Sequence, residues 1–116
     1  MPDIQADNAD TEQQIKHLQD SLYVISGKWK LPILVAVHQG KSRFREIQRS
    51  VNGITSKVLS KELKELELNK LIIRRVYDAS PPSVEYTTSN YCDTLQNMIT
   101  SMIDWGKSHR EKIKED

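Results

Sequence analysis

The sequence has 116 residues, a length typical of one domain, and its 37% apolar and 28% charged residues indicate one core with much exposed helix surface. No stretch approaches the roughly 18 uncharged residues of a membrane-spanning helix, and the acidic first ten residues do not form a secretory signal, so no membrane association is expected. The one cysteine, Cys92, excludes an internal disulfide framework and a cysteine-rich zinc site, and it is typical of a cytoplasmic protein.

Two helices are predicted in the first third of the chain. Residues 1–10 have no apolar periodicity and are expected to form a disordered tail. A helix over 11–26 follows, because its apolar residues recur at spacings of three and four: Ile15, Leu18, Leu22 and Ile25. The second helix begins near Lys30, since Pro32 is tolerated only in a first turn. It is apolar on nearly all sides, which predicts the central helix of the core.

Residues 43–69 predict two further helices joined by a turn. The first is short, begins near Arg43 and ends at the Asn-Gly pair 52–53, because both residue types accept positive φ. Thr55 is a good N-cap for the second helix, and Asn69 is the expected left-handed residue at its end. The apolar residues that share one face of this second helix are Val58, Leu59, Leu63 and Leu66.

The period of the apolar residues then changes from 3.6 to 2. Residues 71–77 and 83–88 are rich in β-branched and aromatic residues, and the proline-containing segment between them must be a loop. These segments predict a β-hairpin over 71–88. A long helix over 90–113 is predicted after Ser89, which is a suitable N-cap.

Two helices joined by a short turn and followed by a hairpin are the order of elements in a winged helix-turn-helix. The predicted fold class is therefore mainly α with a small β-hairpin (α+β), with one further helix at each end of the chain. No repeat or linker divides the sequence, so residues 11–114 are expected to form one domain.

The helix after Thr55 has a polar and basic stripe opposite its apolar face. The stripe consists of Ser56, Lys57, Ser60, Lys61 and Lys64. A recognition helix needs this layout, because one side packs on the domain while the other enters a major groove bordered by phosphates. An ordinary solvated helix face is the alternative, and the adjacent turn, hairpin and charge distribution favour DNA.

The charges are distributed in blocks along the chain. Residues 1–26 have a net charge of −4, residues 27–77 of +8, and residues 78–116 of −3. A segment this basic within a nearly neutral chain predicts that one face meets a polyanion, although charge runs also simply solvate helices.

Four arginines complete the candidate DNA-binding set, together with Thr55 and the basic stripe. Arg43 and Arg45 lie at the start of a helix, where side chains and backbone N–H groups can hold a phosphate. Arg74 and Arg75 lie late in the first strand, where consecutive residues face opposite sides, so only one of them can point at DNA. We expect Arg75 to be that residue.

Several strings of the sequence, in order, resemble the HxlR-type transcriptional regulators, which are related to the MarR group. They lie within about residues 15–110, nearly the whole predicted domain. The strings are GKWKLPIL over 27–34, RFREI over 43–47, GITSKVL over 53–59, RRVY over 74–77, Pro81-Pro82, VEY over 84–86 and Trp105-Gly106.

The resemblance implies a homodimeric winged-helix regulator of bacterial type that binds double-stranded operator DNA. It also implies that helices 11–26 and 90–113 are dimerisation helices. The apolar stripes of these two helices exceed what one small core can cover, which supports the same assignment. The candidate interface residues are Leu18, Leu22, Ile99, Met102, Ile103 and Trp105.

The sequence predicts no enzyme, cofactor or metal site. It has no glycine-rich phosphate loop and no nucleophile elbow, and its three histidines lack metal-ligand spacing with Cys92. Some members of the family use a cysteine near the first helix for sensing, but the matching position in this sequence is about Lys16, so the resemblance does not imply thiol sensing here. Cys92 is then either a buried small residue or a thiol activated by a helix N-terminus. The alternative function is a winged-helix protein-interaction module without DNA binding, and a small-molecule effector stays open.

Overall fold

The computed structural model describes residues 8–115, which form five α-helices and one antiparallel hairpin. The elements in chain order are α1 (Asn8–Ile25), α2 (Lys30–His38), α3 (Phe44–Ser50), α4 (Ser56–Leu68), β1 (Ile72–Tyr77), β2 (Ser83–Thr88), a 3-10 turn (Tyr91–Leu95) and α5 (Gln96–Ile113). This order confirms the predicted winged helix-turn-helix: α3 and α4 are the helix pair, and β1 and β2 form the wing.

Helix α2 is the centre of the core, as its apolar composition predicts. Ile33 and Leu34 of α2 are fully buried, and they belong to one cluster with residues of α3, α4, β1 and the 3-10 turn. The cluster also includes Ile47, Leu59, Leu63, Leu66, Leu71, Ile72 and Cys92. The apolar faces predicted for α3 and α4 therefore both pack on α2.

Capping groups fix the starts of α3 and α4, and a glycine allows the turn between these two helices. Glu46 Oε1 accepts hydrogen bonds from the backbone N–H groups of Ser42 at 3.3 Å and Arg43 at 3.1 Å, before α3. Gly53 has a φ of +87°, which a residue without Cβ adopts without strain. Thr55 Oγ1 accepts the N–H of Val58 at 3.2 Å, so Thr55 is the N-cap of α4 as predicted.

The end of α4 differs by one residue from the prediction. Asn69 has a φ of −87°, whereas Lys70 has a φ of +66° and is the left-handed residue. The N–H of Lys70 bonds to the carbonyl of Glu67, and that of Leu71 bonds to the carbonyl of Leu66, each at 3.0 Å. These two bonds form a Schellman motif around Lys70. The motif turns the chain so that Leu71 enters the core.

The wing is a regular two-stranded ladder anchored to the start of α3. Ile72 pairs with Thr88, Arg74 with Tyr86, and the remaining residues follow in antiparallel register. The backbone N–H of Tyr86 also donates to the carbonyl oxygen of Ser42 at 2.8 Å. The hairpin is thus held on the helix-turn-helix by backbone as well as side-chain contacts.

Two terminal boundaries differ from those predicted. Helix α1 begins at Asn8, three residues before Thr11, and the last helical segment begins as a 3-10 turn at Tyr91 before α5 starts at Gln96. Of the predicted tail, residues 1–7 lie outside the described residues. Helix ends depend on local capping, which apolar periodicity does not encode.

An ion-pair cluster connects α2 to α4 at the edge of the core. The Lys30 ammonium contacts Glu62, a buried acid of α4, and lies 3.4 Å from Glu65 Oε2. Burial lowers the pKa of Lys30, but the hydrogen bond and charge of Glu62, followed by Glu65, outweigh it and raise the pKa. The charge of Lys30 lowers the pKa of Glu65. The cluster therefore stabilises the fold above the ordinary carboxyl pKa and below the raised pKa of Lys30.

We predict that Lys30→Met lowers the free energy of unfolding by about 3 kcal/mol, because it leaves the Glu62 carboxylate buried without a partner. The double variant Lys30→Met/Glu62→Leu should recover most of that loss, since it removes both charges. Urea unfolding at neutral pH measures both effects. Lys112→Met is the control, because its pair with Glu115 is exposed and contributes little. A Lys30→Met loss no larger than that of Lys112→Met would contradict the prediction.

Candidate nucleic-acid interface

Helix α4 presents the predicted polar stripe to solvent. Ser56, Lys57, Ser60, Lys61 and Lys64 are all exposed. Leu59, Leu63 and Leu66 on the opposite side are buried in the core. The three lysines therefore lie on one open surface, and the packing of the leucines fixes the direction in which that surface faces.

Two of the three acids on α4 are neutralised by lysines. Glu62 and Glu65 both contact Lys30, and Lys61 Nζ lies 3.6 Å from Glu65 Oε2. Lys57 and Lys64 carry the positive charge at the two ends of the stripe, and Lys61 lies between them with its charge partly balanced.

A polar cleft lies between α4 and the wing, and it is Arg74 rather than Arg75 that faces this cleft. Ser60, Lys64 and Arg74 border this cleft together with Leu63, Glu67 and Tyr86. Arg74 lies two residues after the buried Ile72 and so shares its side of the strand, which faces α4. Arg75, the residue expected beside DNA, faces the other side. The sequence predicted that Arg74 and Arg75 face opposite sides of β1. The burial of Ile72 in the core determines which of these sides packs on α4.

Arg75 and Arg43 belong to a second charged group on the outer side of the wing. Arg75 lies directly opposite Glu85 in the strand register. The Glu85 carboxylate in turn lies 3.4 Å from the Arg43 guanidinium at the start of α3. Arg45 is exposed on α3. Sequence reasoning did not single out Glu85, because its proximity to Arg43 depends on how the wing folds back onto α3.

A second residue that sequence reasoning missed is Gln48, in the middle of α3. Its amide nitrogen lies 3.1 Å from Ser56 Oγ and 3.4 Å from the carbonyl oxygen of Ile54. The side chain thus joins α3, the turn and the first residue of α4. The signal in the sequence was the position of Gln48, a polar residue beside the inward-facing Ile47 and one turn before Val51.

Most of the predicted interface residues of the terminal helices are exposed in the single chain. Leu18 and Leu22 on α1, and Met102, Ile103 and Trp105 on α5, are about half or more exposed. Trp105 stacks on His109 with ring centroids 4.7 Å apart. Ile99 corrects the expected set, because it is only 6% exposed and belongs to the core of the single chain. The first turns of α5 pack on the domain, and its later turns extend beyond it.

Cys92 lies in the 3-10 turn before α5 and is fully buried. Burial raises the pKa of its thiol, and the charge of Asp93 adds to this effect. These conditions disfavour the thiolate, so the alternative of a buried small residue fits the structure better than an activated thiol.

Within residues 8–115, no group of three or more His, Cys, Asp or Glu side chains converges in a way that could hold a metal ion. None of the helices in this described part combines the length and apolar character needed to cross a lipid bilayer.

Residues 24–114 match the protein family described as HxlR-like helix-turn-helix. A Bacillus subtilis protein named as the uncharacterized HTH-type transcriptional regulator YtcD is 38% identical over 99 residues, which cover 85% of this chain and 79% of that protein. The relatives are thus named as regulators rather than as enzymes.

Two solved structures show the same fold. The redox regulator HypR in its reduced form is 35% identical with a TM-score of 0.80, and the match covers 86% of this chain and 99% of that one. A MarR-family transcriptional regulator from Enterococcus faecalis V583 is 30% identical with a TM-score of 0.73, and the match covers 97% of this chain and 96% of that one.

Because Cys92 is buried and its thiol pKa is raised, we predict that it reacts slowly with disulfide reagents. Its reaction with an aromatic disulfide at neutral pH should be at least roughly a hundredfold slower in the folded protein than in urea, since only the thiolate of an accessible cysteine attacks. Absorbance of the released thiolate measures both rates. Equal rates in the two states would contradict the buried position of Cys92.

Proposed function

The chain belongs to the HxlR-like helix-turn-helix family, and from this membership we propose that it is a transcriptional regulator that binds operator DNA as a homodimer. Each protomer inserts α4 into the major groove, and the two grooves lie one helical turn, about 34 Å, apart. The observation that carries the proposal is the face of α4, where three lysines and two serines are exposed opposite a fully packed apolar side.

The exposed residues fall into two groups by position. Ser56, Lys57, Ser60 and Lys61 lie in the first half of α4, and in a helix-turn-helix these residues approach base edges. Lys64 and Arg74 border the cleft beside the wing, where they bind backbone phosphates. Arg43 and Arg45 bind further phosphates at the start of α3. The phosphate contacts fix the position of the protein, and the residues early in α4 select the sequence.

The apolar faces of α1 and α5 support the homodimer. Large apolar side chains exposed together on two helices of a water-soluble domain mark an interaction surface. Gly106 adds a second observation, because it lies within the 18-residue helix α5 where glycine costs about 1 kcal/mol relative to alanine. A Cβ at Gly106 would meet no atom within 4 Å in the single chain, so the chain itself does not require glycine there. Close approach of a second copy explains it.

The proposal predicts specific, salt-dependent DNA binding. The protein should enrich one duplex sequence from a random-sequence library, and its affinity for that duplex should fall by roughly a thousandfold between about 50 and 200 mM salt. Fluorescence anisotropy measures the affinities. Lys57→Ala should relax the preference at one base pair of each half-site, whereas Arg74→Ala should weaken all sequences alike and reduce the salt slope by about 1.

Lys112→Ala, which removes an exposed lysine near the end of α5, is the charge-matched control and should leave the sequence preference unchanged. Absence of binding to any duplex at low salt would instead favour the winged-helix protein-interaction module. Uniform losses for both Lys57→Ala and Arg74→Ala would contradict the assignment of Lys57 to base edges.

A second prediction concerns the dimer. Gly106→Leu should strengthen α5 as a helix but raise the dimer dissociation constant by about tenfold or more, because the added side chain separates two helices packed at Gly106. Sedimentation equilibrium measures the constant. Asp104→Leu is the matched control, since the exposed Asp104 lies two residues from Gly106 and therefore on the opposite side of α5. An unchanged or tighter dimer for Gly106→Leu would show that α5 does not cross its copy there.

A further inference from the structure

Among residues 8–115, Gln48 has the side chain that hydrogen-bonds both to the turn, at the Ile54 carbonyl, and to Ser56, the first residue of α4. Its Nε2 lies 3.4 Å from the Ile54 carbonyl oxygen and 3.1 Å from Ser56 Oγ, and its Oε1 lies 3.4 Å from the same Ser56 oxygen. Gln48 is half-buried, whereas Ser56 is exposed on the face of α4 proposed to meet DNA.

The contacts determine which way the Gln48 amide points. A backbone carbonyl oxygen can only accept a hydrogen bond, so the nitrogen, not the oxygen, must face Ile54. That nitrogen carries two hydrogens, and the second points to Ser56 Oγ. The shorter of the two contacts at Ser56 is therefore the one in which its hydroxyl oxygen accepts.

This orientation decides what Ser56 can offer to a ligand. A serine hydroxyl has one hydrogen, and while its oxygen accepts from Gln48 Nε2 at 3.1 Å that hydrogen has only the longer, 3.4 Å contact with Gln48 Oε1, which an acceptor on a base edge can replace. In the major groove, guanine N7 and O6, adenine N7 and thymine O4 accept hydrogen bonds, whereas the amino groups of cytosine and adenine donate them. In this orientation Ser56 favours a base that presents a hydrogen-bond acceptor to its hydroxyl over one that presents an amino group.

We propose that Gln48 is a positioning residue that holds Ser56 as a hydrogen-bond donor to an acceptor atom on a base edge. This inference rests on the proposed function, because it requires α4 to lie in the major groove. It adds a specificity-determining residue that itself lies on α3 and acts through Ser56.

The test uses the full chain and the duplex that the wild-type protein selects from a random-sequence library, with every base pair of one half-site replaced in turn. The ratio of affinities for the selected and replaced base pairs is measured for Gln48→Met, Ser56→Ala and the double variant. We expect Ser56→Ala to reduce this ratio at one base pair by about three- to tenfold, the value of one neutral hydrogen bond. Gln48→Met should reduce the ratio at the same base pair, and the double variant should lose no more than Ser56→Ala alone.

Gln48→Glu gives a sharper version of the test. A carboxylate accepts only, so it loses the bond to the Ile54 carbonyl, takes the Ser56 hydrogen and leaves the serine oxygen as an acceptor. The preferred base at that position should then become one with an amino donor, cytosine or adenine. The added negative charge lowers affinity for every sequence, but the ratio at one base pair is unaffected by a uniform loss.

Gln39→Met, at an exposed glutamine after α2, is the control and should leave every ratio unchanged. Urea unfolding of each variant shows whether α4 stays folded, since a purely structural role would lower stability without affecting one base pair selectively. Loss of preference at different base pairs in Gln48→Met and Ser56→Ala, or an equal loss at all of them, overturns the inference. A wild-type protein that selects no duplex overturns the proposed function first, and this inference with it.

Discussion

Helix α4 has to serve two surfaces with thirteen residues, and the rest of the structure depends on this constraint. Leu59, Leu63 and Leu66 fill the core, while Ser60 and Lys64 lie on the open side. Both sets are fixed to the same backbone at 100° per residue, so any rotation that exposed the leucines would bury the lysines. The core packing that stabilises the domain is therefore also what aims the basic face.

The charges on α4 add direction to that packing. Leucine packing fixes which face of α4 meets the core, but the hydrophobic effect itself is not directional. The contact of Glu62 with Lys30 is directional, and Glu65, one turn later, reaches the same ammonium. A buried carboxylate is costly without its partner, which penalises rotations of α4 that separate it from α2. Lys30 and Lys61 together also offset the negative charges of Glu62 and Glu65 on a helix whose open face is basic.

The sequence predicted the elements and their order because periodicity, capping residues and turn residues are local. Thr55 and Gly53 act in the structure as their residue types suggest. The features that the sequence did not predict depend on tertiary contacts: which side of β1 faces α4, how far α5 packs on the core before it extends away, and which side chain reaches across the turn. Arg74, Ile99 and Gln48 illustrate these three cases. The candidate interface was thus predictable as a surface, but the choice among neighbouring residues required the packed structure.

The same packing links the proposed DNA surface to the proposed dimer surface. Ile25 at the end of α1 and Ile99 in α5 are buried, so both terminal helices are joined to the domain at the ends nearest the core. The exposed parts of α1 and α5 are thus helical continuations of the body that carries α4. In the proposed homodimer, the pairing of α1 and α5 with their copies sets the distance between the two α4 helices. A small change in the angle at which these helices cross moves both α4 helices relative to the grooves.

A regulatory ligand would have to bind the dimer at one distance between the α4 helices better than at another, because equal affinity for both leaves DNA binding unchanged. Cys92 is fully buried in the single chain, so a regulator that acted on this spacing would bind the exposed surfaces of α1 and α5 rather than the thiol.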